Sequence, residues 1–286
     1  MTLVMETVAF YKMHGCGNDF ILIDNRSLNL DISLMGYWSE KLCRRGFGIH
    51  GDGVVFLDAP PADTDLSYIW HFFNRDGSQG EMCGNAARCT AWLAHALKIA
   101  PPEHTFGTLA GRIRVTVLEK GPCEGDVRVQ LPNPENAILD VRIDMDGTTL
   151  CVHRVVIGVP HAVVFVKDLN GLDVCGLGSR IRHHAEFAPQ GTNVNFAQVT
   201  GLDSIRLRTF ERGVEDETFA CGTGAASTLY LAHRKGYTGT SAVVHTVTGQ
   251  ALTIELNGET IYLQGPARLT FTGQFYPLAL GLPWNT

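Results

Sequence analysis

The feature that most limits the possible folds of this chain is an internal duplication. The twelve residues from Cys83, CGNAARCTAWLA, and the twelve from Cys221, CGTGAASTLYLA, align without gaps and match at six positions. Two shorter pairs lie upstream in the same order: 51–56 with 191–196 and, more weakly, 17–23 with 158–166. A series of pairs at nearly the same offset indicates that one structural unit occurs twice.

Most of the regular structure in each repeat is predicted to be strand. Short apolar, β-branched or alternating runs are typical of strands, and few helices fit between them. The predicted strands are 20–24, 54–57, 68–73, 113–118, 127–131, 152–157, 162–166, 194–199, 205–210, 242–247, 252–256 and 260–264.

Two helices are predicted to begin at the Cys-Gly pairs. The first runs from Gly84 to about Ala100, and the second runs from Gly222 to about Lys235, where Gly236 is a suitable terminator. The first helix is apolar nearly all round, which indicates burial inside a curved sheet.

The predicted fold class is therefore α/β (α+β), with two pseudo-symmetric duplicated domains, each a curved, mostly antiparallel sheet wrapped around a central helix. We expect halves at 1–126 and 127–269, facing each other across a cleft, with the tail from about 270 to 286 returning to the first half.

Composition excludes several classes of function. The net charge is −6 and no basic cluster occurs, so nucleic acid is not an expected partner. The longest apolar runs have strand length, so no membrane span is expected, and the N-terminus has no evident secretory signal, which predicts a cytoplasmic protein. Eight cysteines without a C-x-x-C pair predict neither a zinc ribbon nor a thioredoxin-like site, and we expect no metal.

The cysteines at the two Cys-Gly helix starts are the candidate catalytic groups. Inverting an amino-acid Cα requires a base on one face and an acid on the other, and a duplicated fold can supply one group from each half. A cysteine at a helix N-terminus has a lowered pKa, because unpaired N–H groups and the helix dipole stabilise its thiolate. Each sulfur would follow an acidic polar loop, 74–81 before Cys83 and 211–217 before Cys221.

Backbone N–H groups beside the cysteines can bind the substrate's carboxylate. Those of Gly84, Asn85, Gly222 and Thr223 lie at the two predicted helix starts, where anions bind favourably. Donors aimed at this carboxylate stabilise the charge that develops as the Cα proton leaves.

At these residues the chain resembles the diaminopimelate epimerase family. The resemblance implies paired pseudo-symmetric α/β domains, a homodimer, no cofactor, and interconversion of LL- and meso-2,6-diaminopimelate on the route to lysine and peptidoglycan. The matching segments are KMHGCGNDFILID (12–24), GDGVVFL (51–57), FNRDGSQGEMCGNAARC (73–89), GVPHAVVFV (158–166), TNVNFAQV (192–199) and RTFERGVEDETFACGTGAAS (208–227).

The resemblance also implies roles for individual residues. Cys83 and Cys221 form the acid/base pair, with Cys83 the base towards the LL substrate, and His161 and Glu211 assist their ionisation. The residues implied to hold the distal, non-reacting end of the substrate are Asn18, Asn74, Asn193 and Arg212, and Glu211 is also implied to bind substrate.

One departure from the family pattern concerns substrate choice. The pattern usually reads Gly-Asn-Pro-His where this chain has Gly158-Val159-Pro160-His161. The missing asparagine amide would cost about 1 kcal/mol of distal binding if it formed one hydrogen bond.

Three alternatives remain open from the sequence. The first is a racemase of the same fold acting on a different amino acid, and the second is an amino-acid-binding protein without catalysis. A thiol-redox enzyme is the third, although its two cysteines would lie in separate halves. A pyridoxal-phosphate enzyme is disfavoured, because no lysine lies in a glycine- or serine-rich context.

Overall fold

The computed structural model describes residues 6–283, apart from the side chain of Glu119. Its strands are β1 (Val8–Gly15), β2 (Asn18–Asp24), β3 (Gly53–Asp58), β4 (Ile69–Asn74), β5 (Gln79–Gly80), β6 (Glu103–Thr108), β7 (Gly111–Gly121), β8 (Glu124–Leu131), β9 (Glu135–Met145), β10 (Thr148–Ile157), β11 (Val159–Phe165), β12 (Asn193–Gly201), β13 (Ser204–Glu211), β14 (Asp216–Thr218), β15 (Ser241–His245), β16 (Ala251–Asn257) and β17 (Thr260–Phe275). Its α-helices are α1 (Asn25–Leu28), α2 (Ile32–Cys43), α3 (Gly84–Ala96), α4 (Val174–Arg182) and α5 (Gly222–Arg234).

The chain forms two compact units. Unit 1 comprises Met1–Val129 and Pro266–Thr286, and unit 2 comprises Gln130–Gly265. The long strand β17 therefore begins in unit 2 and ends in unit 1.

In unit 1 the strands pair in the order β17, β1, β2, β3, β4, β6, β7, β8, and β5 pairs with β4. The pairs β2–β3 and β4–β6 are parallel, and the other pairs in this series are antiparallel. The connections within the parallel pairs are long and contain helices, α1 and α2 between β2 and β3 and α3 between β4 and β6.

Unit 2 repeats this arrangement strand for strand. Its order is β9, β10, β11, β12, β13, β15, β16, β17, and β14 pairs with β13. The parallel pairs, β11–β12 and β13–β15, fall at the equivalent places. The duplication predicted from the sequence is confirmed at the level of topology.

Each unit has a central helix enclosed by its sheet. Residues 85–94 of α3 are all buried, and the helix contacts β1, β2, β3 and β7. The equivalent helix α5 contacts β10, β11, β12 and β16, and also β13 and β15. The predicted curved sheet around a central helix is confirmed, and it explains why α3 has no polar face.

A second helix covers the outside of each sheet. In unit 1, α2 packs on β3 and β4 and contributes Met35 and Trp38 to the core. In unit 2, α4 packs on β12 and β13 and contributes Ile181. Asp31 and Asp173 cap these helices by accepting hydrogen bonds from backbone N–H groups in the first turn. Among the described residues, no helix is long and apolar enough to cross a membrane.

The structure corrects several predicted elements. The helices α2 and α4 were not predicted, nor were the strands β1, β6 and β9. The sequence of β9 does alternate, with Leu139, Val141, Ile143 and Met145 separated by charged residues, although most of its side chains are at least partly exposed. The last strand continues to Phe275 instead of ending near residue 264.

The central helix α3 ends four residues earlier than predicted. Lys98 adopts a left-handed conformation with φ 59°, and the N–H groups of Lys98 and Ile99 bond to His95 and Ala94. This is the terminating pattern that usually carries glycine, so a lysine there gave no signal. The end of α5 uses the same pattern with Gly236 at φ 72°, as the sequence predicted.

Candidate functional site

In unit 1, Cys83 is the residue immediately before α3 and its side chain is half-buried. The first N–H groups of an α-helix have no partner within the helix, and they point towards this position. A Cβ placed on Gly84 would have no atom within 4 Å, so the backbone beside the sulfur is open to a ligand.

Hydrogen-bonded asparagine and aspartate side chains lie next to the Cys83 sulfur, and Asn18 contacts it. Its Sγ lies 3.7 Å from Oδ1 of Asn18, which also accepts a hydrogen bond from Nδ2 of Asn85 at 3.0 Å. Nδ2 of Asn18 donates to Asp52 at 2.7 Å. Asn18, which the resemblance assigns to the distal end of the substrate, therefore lies against the Cys83 sulfur in this structure.

Arg88 binds to this set of side chains through Asn85. Its fully buried guanidinium donates to Oδ1 of Asn85 at 2.7 Å and to the carbonyl oxygens of Gly84 and Pro266. Burying a charge is costly unless hydrogen bonds surround it, and here they fix the first turn of α3.

In unit 2, Cys221 occupies the equivalent position before α5 and is also half-buried. Its Sγ accepts a hydrogen bond from the N–H of Gly224 at 3.4 Å and lies 3.6 Å from Oγ1 of Thr223. The sulfur itself caps the helix, which is the geometry that stabilises a thiolate.

His161 approaches Cys221 through Thr223. Nε2 of His161 lies 3.0 Å from Oγ1 of Thr223, and Nδ1 lies 3.1 Å from Nδ2 of Asn195. Burial, and then the positive charge of Arg212, lower the pKa of His161 to about 3. The ring is therefore neutral at physiological pH.

Glu211, Arg212 and Asn193 form a second group in unit 2. Oδ1 of Asn193 accepts from the backbone N–H of Arg212 at 2.9 Å, and Glu211 accepts from Oγ1 of Thr218 at 2.8 Å. Burial raises the pKa of Glu211 above its ordinary value, and the hydrogen bond from Thr218 opposes this shift. A carboxyl with a raised pKa is suited to exchanging protons.

The remaining predicted residues are Asn74 and Gly222. In unit 1, Nδ2 of Asn74 donates to Oγ of Ser78. In unit 2, a Cβ on Gly222 would lie 2.8 Å from Leu263, so that glycine is closely packed, unlike Gly84.

The other six cysteines differ from Cys83 and Cys221 in exposure. Three are buried, and burial raises the pKa of Cys43 to about 11 and that of Cys89 to about 12. The third buried thiol, Cys16, also has a raised pKa because of burial. Three are exposed: Cys123, Cys151 and Cys175.

One cluster has the composition of a metal site. Ligand atoms of Asp140, Cys151 and His153 lie within 4.8 Å of one another. However, Lys235 Nζ binds both carboxylate oxygens of Asp140, and the N–H of Asp140 donates to Nδ1 of His153. Two of the three potential metal-ligating side chains, Asp140 and His153, are therefore already engaged in a salt bridge and a backbone hydrogen bond.

Sequence reasoning missed Arg88, Asp52, Asn195 and Thr209. Arg88, Asp52 and Asn195 support candidate residues through hydrogen bonds, and Thr209 supports Asn195. A signal was present for two of them: Arg88 interrupts an otherwise apolar helix, and Asn195 interrupts the apolar run Val194–Ala197.

The sequence of this chain matches a known family along most of its length. A sequence model of that family, described as diaminopimelate epimerase, matches residues 10–134 and 154–270. A diaminopimelate epimerase of Hydrogenobaculum sp. is 39% identical, covering 92% of this chain and 96% of the relative. One from Aquifex aeolicus is also 39% identical, covering 93% and 96%.

Solved structures with the same fold have far lower sequence identity. A phenazine biosynthesis protein of the PhzF family from Bacillus anthracis has a TM-score of 0.72 at 14% identity, covering 95% of this chain and 99% of that one. A hydroxyproline epimerase from Agrobacterium vitis has a TM-score of 0.71 at 17% identity, covering 94% and 91%. These likenesses show the duplicated fold, whereas the sequence matches show the family. The chain belongs to the diaminopimelate epimerase family.

Proposed function

We propose that this protein interconverts LL- and meso-2,6-diaminopimelate without a cofactor, using Cys83 and Cys221 as its proton-transferring groups. The observation that carries the proposal is that each unit places one half-buried cysteine immediately before its enclosed central helix. The family relationship supplies the substrate.

The chemistry requires no other reactant. One sulfur, as thiolate, takes the Cα proton and becomes a thiol, while the other, as thiol, gives its proton to the opposite face of the resulting carbanion. The products are the inverted Cα and a pair of sulfurs with exchanged protonation states. Both sulfurs can act because thiol pKa values lie near neutral pH.

Binding roles follow from the groups around each sulfur. We propose that N–H groups of Gly84, Asn85, Gly222 and Thr223 bind the carboxylate of the reacting end. Arg212 suits the distal carboxylate, because a guanidinium binds a carboxylate through two parallel hydrogen bonds. The distal group would also include Asn18, Asn74 and Asn193, and Glu211 would also bind substrate.

The decisive experiment is proton exchange at Cα. The protein is incubated in D₂O with LL-diaminopimelate, and deuterium incorporation and isomer composition are followed by mass spectrometry and chiral chromatography. We expect both deuterium uptake and the meso isomer. A protein that binds the substrate without exchanging its Cα proton would be a binding protein instead.

Replacement of either cysteine tests the two-base scheme. Cys83→Ala and Cys221→Ala are each expected to lower epimerisation at least 1000-fold, because each removes one of the two proton-transferring groups. Cys123→Ala, at an exposed cysteine outside both groups, is the matched control and should retain full activity. Substantial turnover by either single variant contradicts the scheme.

A second candidate is a racemase of the same fold for another amino acid. It is favoured by Val159, a partly exposed residue at the start of β11 where the family pattern has asparagine. A panel of single amino acids in the same D₂O assay separates the two. Faster exchange on one of them than on diaminopimelate would replace the proposed substrate. We also expect a homodimer and a cytoplasmic location, and light scattering of the purified protein tests the former.

A further inference from the structure

The two units surround their cysteines with different polar groups, although their strands and helices correspond. Asn195 on β12 lies opposite Thr209 on β13, and the equivalent pair in unit 1 is Val55 and Phe72. His161, opposite Asn193, corresponds to Phe20, opposite Gly53. If these positions carried the same residues in both units, the two cysteines would have similar surroundings and similar thiol pKa values. The differences give the two thiols different surroundings.

The orientation of the Asn195 amide is fixed by its neighbours. Its Nδ2 lies 3.1 Å from the carbonyl oxygen of Ala162, which can only accept a hydrogen bond, so this atom is the NH₂ group. Its Oδ1 accepts from Oγ1 of Thr209 at 3.0 Å. The second hydrogen of Nδ2 therefore points to Nδ1 of His161.

This contact determines which nitrogen of His161 carries the proton. Nδ1 accepts from Asn195, so a neutral ring carries its hydrogen on Nε2. Nε2 then donates to Oγ1 of Thr223, and the hydroxyl hydrogen of Thr223 is left to point at the Cys221 sulfur 3.6 Å away. The N–H of Gly224 also donates to this sulfur.

Gly224 of α5 leaves room for the Asn195 side chain beside the helix start. A Cβ on Gly224 would lie 2.3 Å from Oδ1 of Asn195 and 3.2 Å from the Cys221 sulfur. The amide can approach the helix start because residue 224 has no side chain.

Cys83 faces the opposite kind of partner. Nδ2 of Asn18 donates to the Asp52 carboxylate, so Oδ1 is the atom that faces the sulfur. Oδ1 can only accept, so this contact is a hydrogen bond only while the Cys83 sulfur carries its S–H. A hydrogen bond that needs the protonated form of a group raises its pKa, whereas donors to the charged form lower it.

We propose that Asn195 and Thr223 are positioning residues that make Cys221 the more acidic of the two reactive thiols, so that the substrate-free enzyme carries its thiolate on Cys221 and its thiol on Cys83. The inference rests on the proposed function for its consequence, because the sulfur that begins as thiolate is the one ready to remove a Cα proton. With Cys83 as the implied base towards LL-diaminopimelate, a thiolate on Cys221 would be ready for the meso isomer. Its test uses no substrate, so it can fail while the proposed function stands.

Other charged groups near α5 are the same in every variant tested. Glu211 and Arg212 follow one another at the end of β13, and Arg212 acts on His161. The remaining charged groups on strands that contact α5 are exposed or engaged elsewhere: His153, Arg154, Arg206, Arg208, His245 and Glu255.

The first measurement is the pH dependence of alkylation at each cysteine. Iodoacetamide is applied from pH 5 to 10, and peptide mass spectrometry gives the midpoint for Cys83 and Cys221 separately. We expect the lower midpoint for Cys221, by about one pH unit or more, since Thr223 and Gly224 donate to its sulfur whereas the contact of Cys83 with Asn18 requires the S–H. An equal or lower midpoint for Cys83 overturns the proposal.

The second measurement uses variants of Thr223. Thr223→Val keeps the shape but removes the hydroxyl, and we expect the Cys221 midpoint to rise by about one unit, a tenfold loss of thiolate near neutral pH. Thr223→Ser should restore it. Thr228→Val makes the same change on the same helix, at a hydroxyl that donates to the carbonyl of Gly224, and should leave the midpoint unchanged. No shift in Thr223→Val also overturns the proposal.

The third measurement is the tautomer of His161 by ¹⁵N NMR. The wild-type protein is expected to show an unprotonated Nδ1 and a protonated Nε2 at pH 7, and Asn195→Ala to lose that preference. Because the wild-type spectrum decides the tautomer, the test holds even if Asn195→Ala does not fold. A protonated Nδ1 in the wild type contradicts the proposed direction of hydrogen bonding.

Discussion

At the scale of single residues, His161 links the candidate site to the stability of unit 2. Its side chain is 1% exposed, and both ring nitrogens have hydrogen-bond partners. A histidine held neutral by burial cannot take up a proton without losing these contacts. The same burial that fixes its tautomer therefore makes the folded state sensitive to acid.

We expect the stability contributed by His161 to fall as the pH is lowered. Its pKa is about 3 in the folded protein against an ordinary value of 6.5, so below pH 6.5 the unfolded chain binds the extra proton. The contribution of His161 to the free energy of unfolding is fully present above pH 6.5. It falls by about 1.4 kcal/mol per pH unit below that, which is a loss of about 2 kcal/mol at pH 5.

Urea unfolding at pH 7.5 and pH 5 measures this loss. His161→Gln should show about 2 kcal/mol less dependence on pH than the wild type, since glutamine does not titrate. His245→Gln, at an exposed histidine on β15, is the control and should behave like the wild type. An unchanged pH dependence in His161→Gln would show that this ring is protonated in the folded state.

At the scale of elements, the start of α3 depends on a buried cation. Arg88 lies on the second turn of the helix, and it reaches back to Gly84 and Asn85 as well as across to Pro266 at the return of β17. Because Asn85 in turn binds Asn18, the guanidinium orders the whole group around Cys83.

Arg88→Leu is expected to destabilise the protein by about 3 kcal/mol, because it leaves several buried acceptors without a donor. Thermal or urea unfolding gives the value. Arg114→Leu, at an exposed arginine on β7, should change stability by no more than about 0.5 kcal/mol. A loss of similar size at both positions would mean that the buried hydrogen bonds of Arg88 contribute little.

At the scale of the whole molecule, the C-terminal strand pairs with the N-terminal strand. The last part of β17 pairs with β1 from Val8 opposite Phe275 to His14 opposite Arg268. Phe275 packs against Phe10 and Trp38 with ring centroids 6.2 and 5.8 Å away, and Leu282 joins the same core. Unit 1 therefore requires residues from both ends of the sequence.

Removing the Phe275 ring tests this closure. Phe275→Ala is expected to cost about 3 to 4 kcal/mol, as for other large buried aromatic side chains. Leu278→Ala lies three residues further on, where the side chain is 76% exposed, and should be nearly neutral. Comparable small effects in urea unfolding would show that the C-terminal segment is not part of the unit 1 core.

Local patterns were sufficient for the elements that carry the cysteines. The Cys-Gly starts of α3 and α5 and the glycine end of α5 were predicted, because caps depend on a few neighbouring residues. The helix α2 was missed although Asp31 caps it, since no duplicated or periodic signal stood out there.

The sequence by itself determined that this protein is a duplicated fold with two cysteines at equivalent helix starts. Repetition, residue periodicity and helix caps are properties of neighbouring positions, so they can be read along the chain. The tertiary structure decided which side chains reach each sulfur. Asn18 and Asn195 lie 65 and 26 residues from the cysteines they support, as the numbering shows. They reach them because strand register and the burial of a central helix bring distant residues together, and sequence spacing alone does not specify that register.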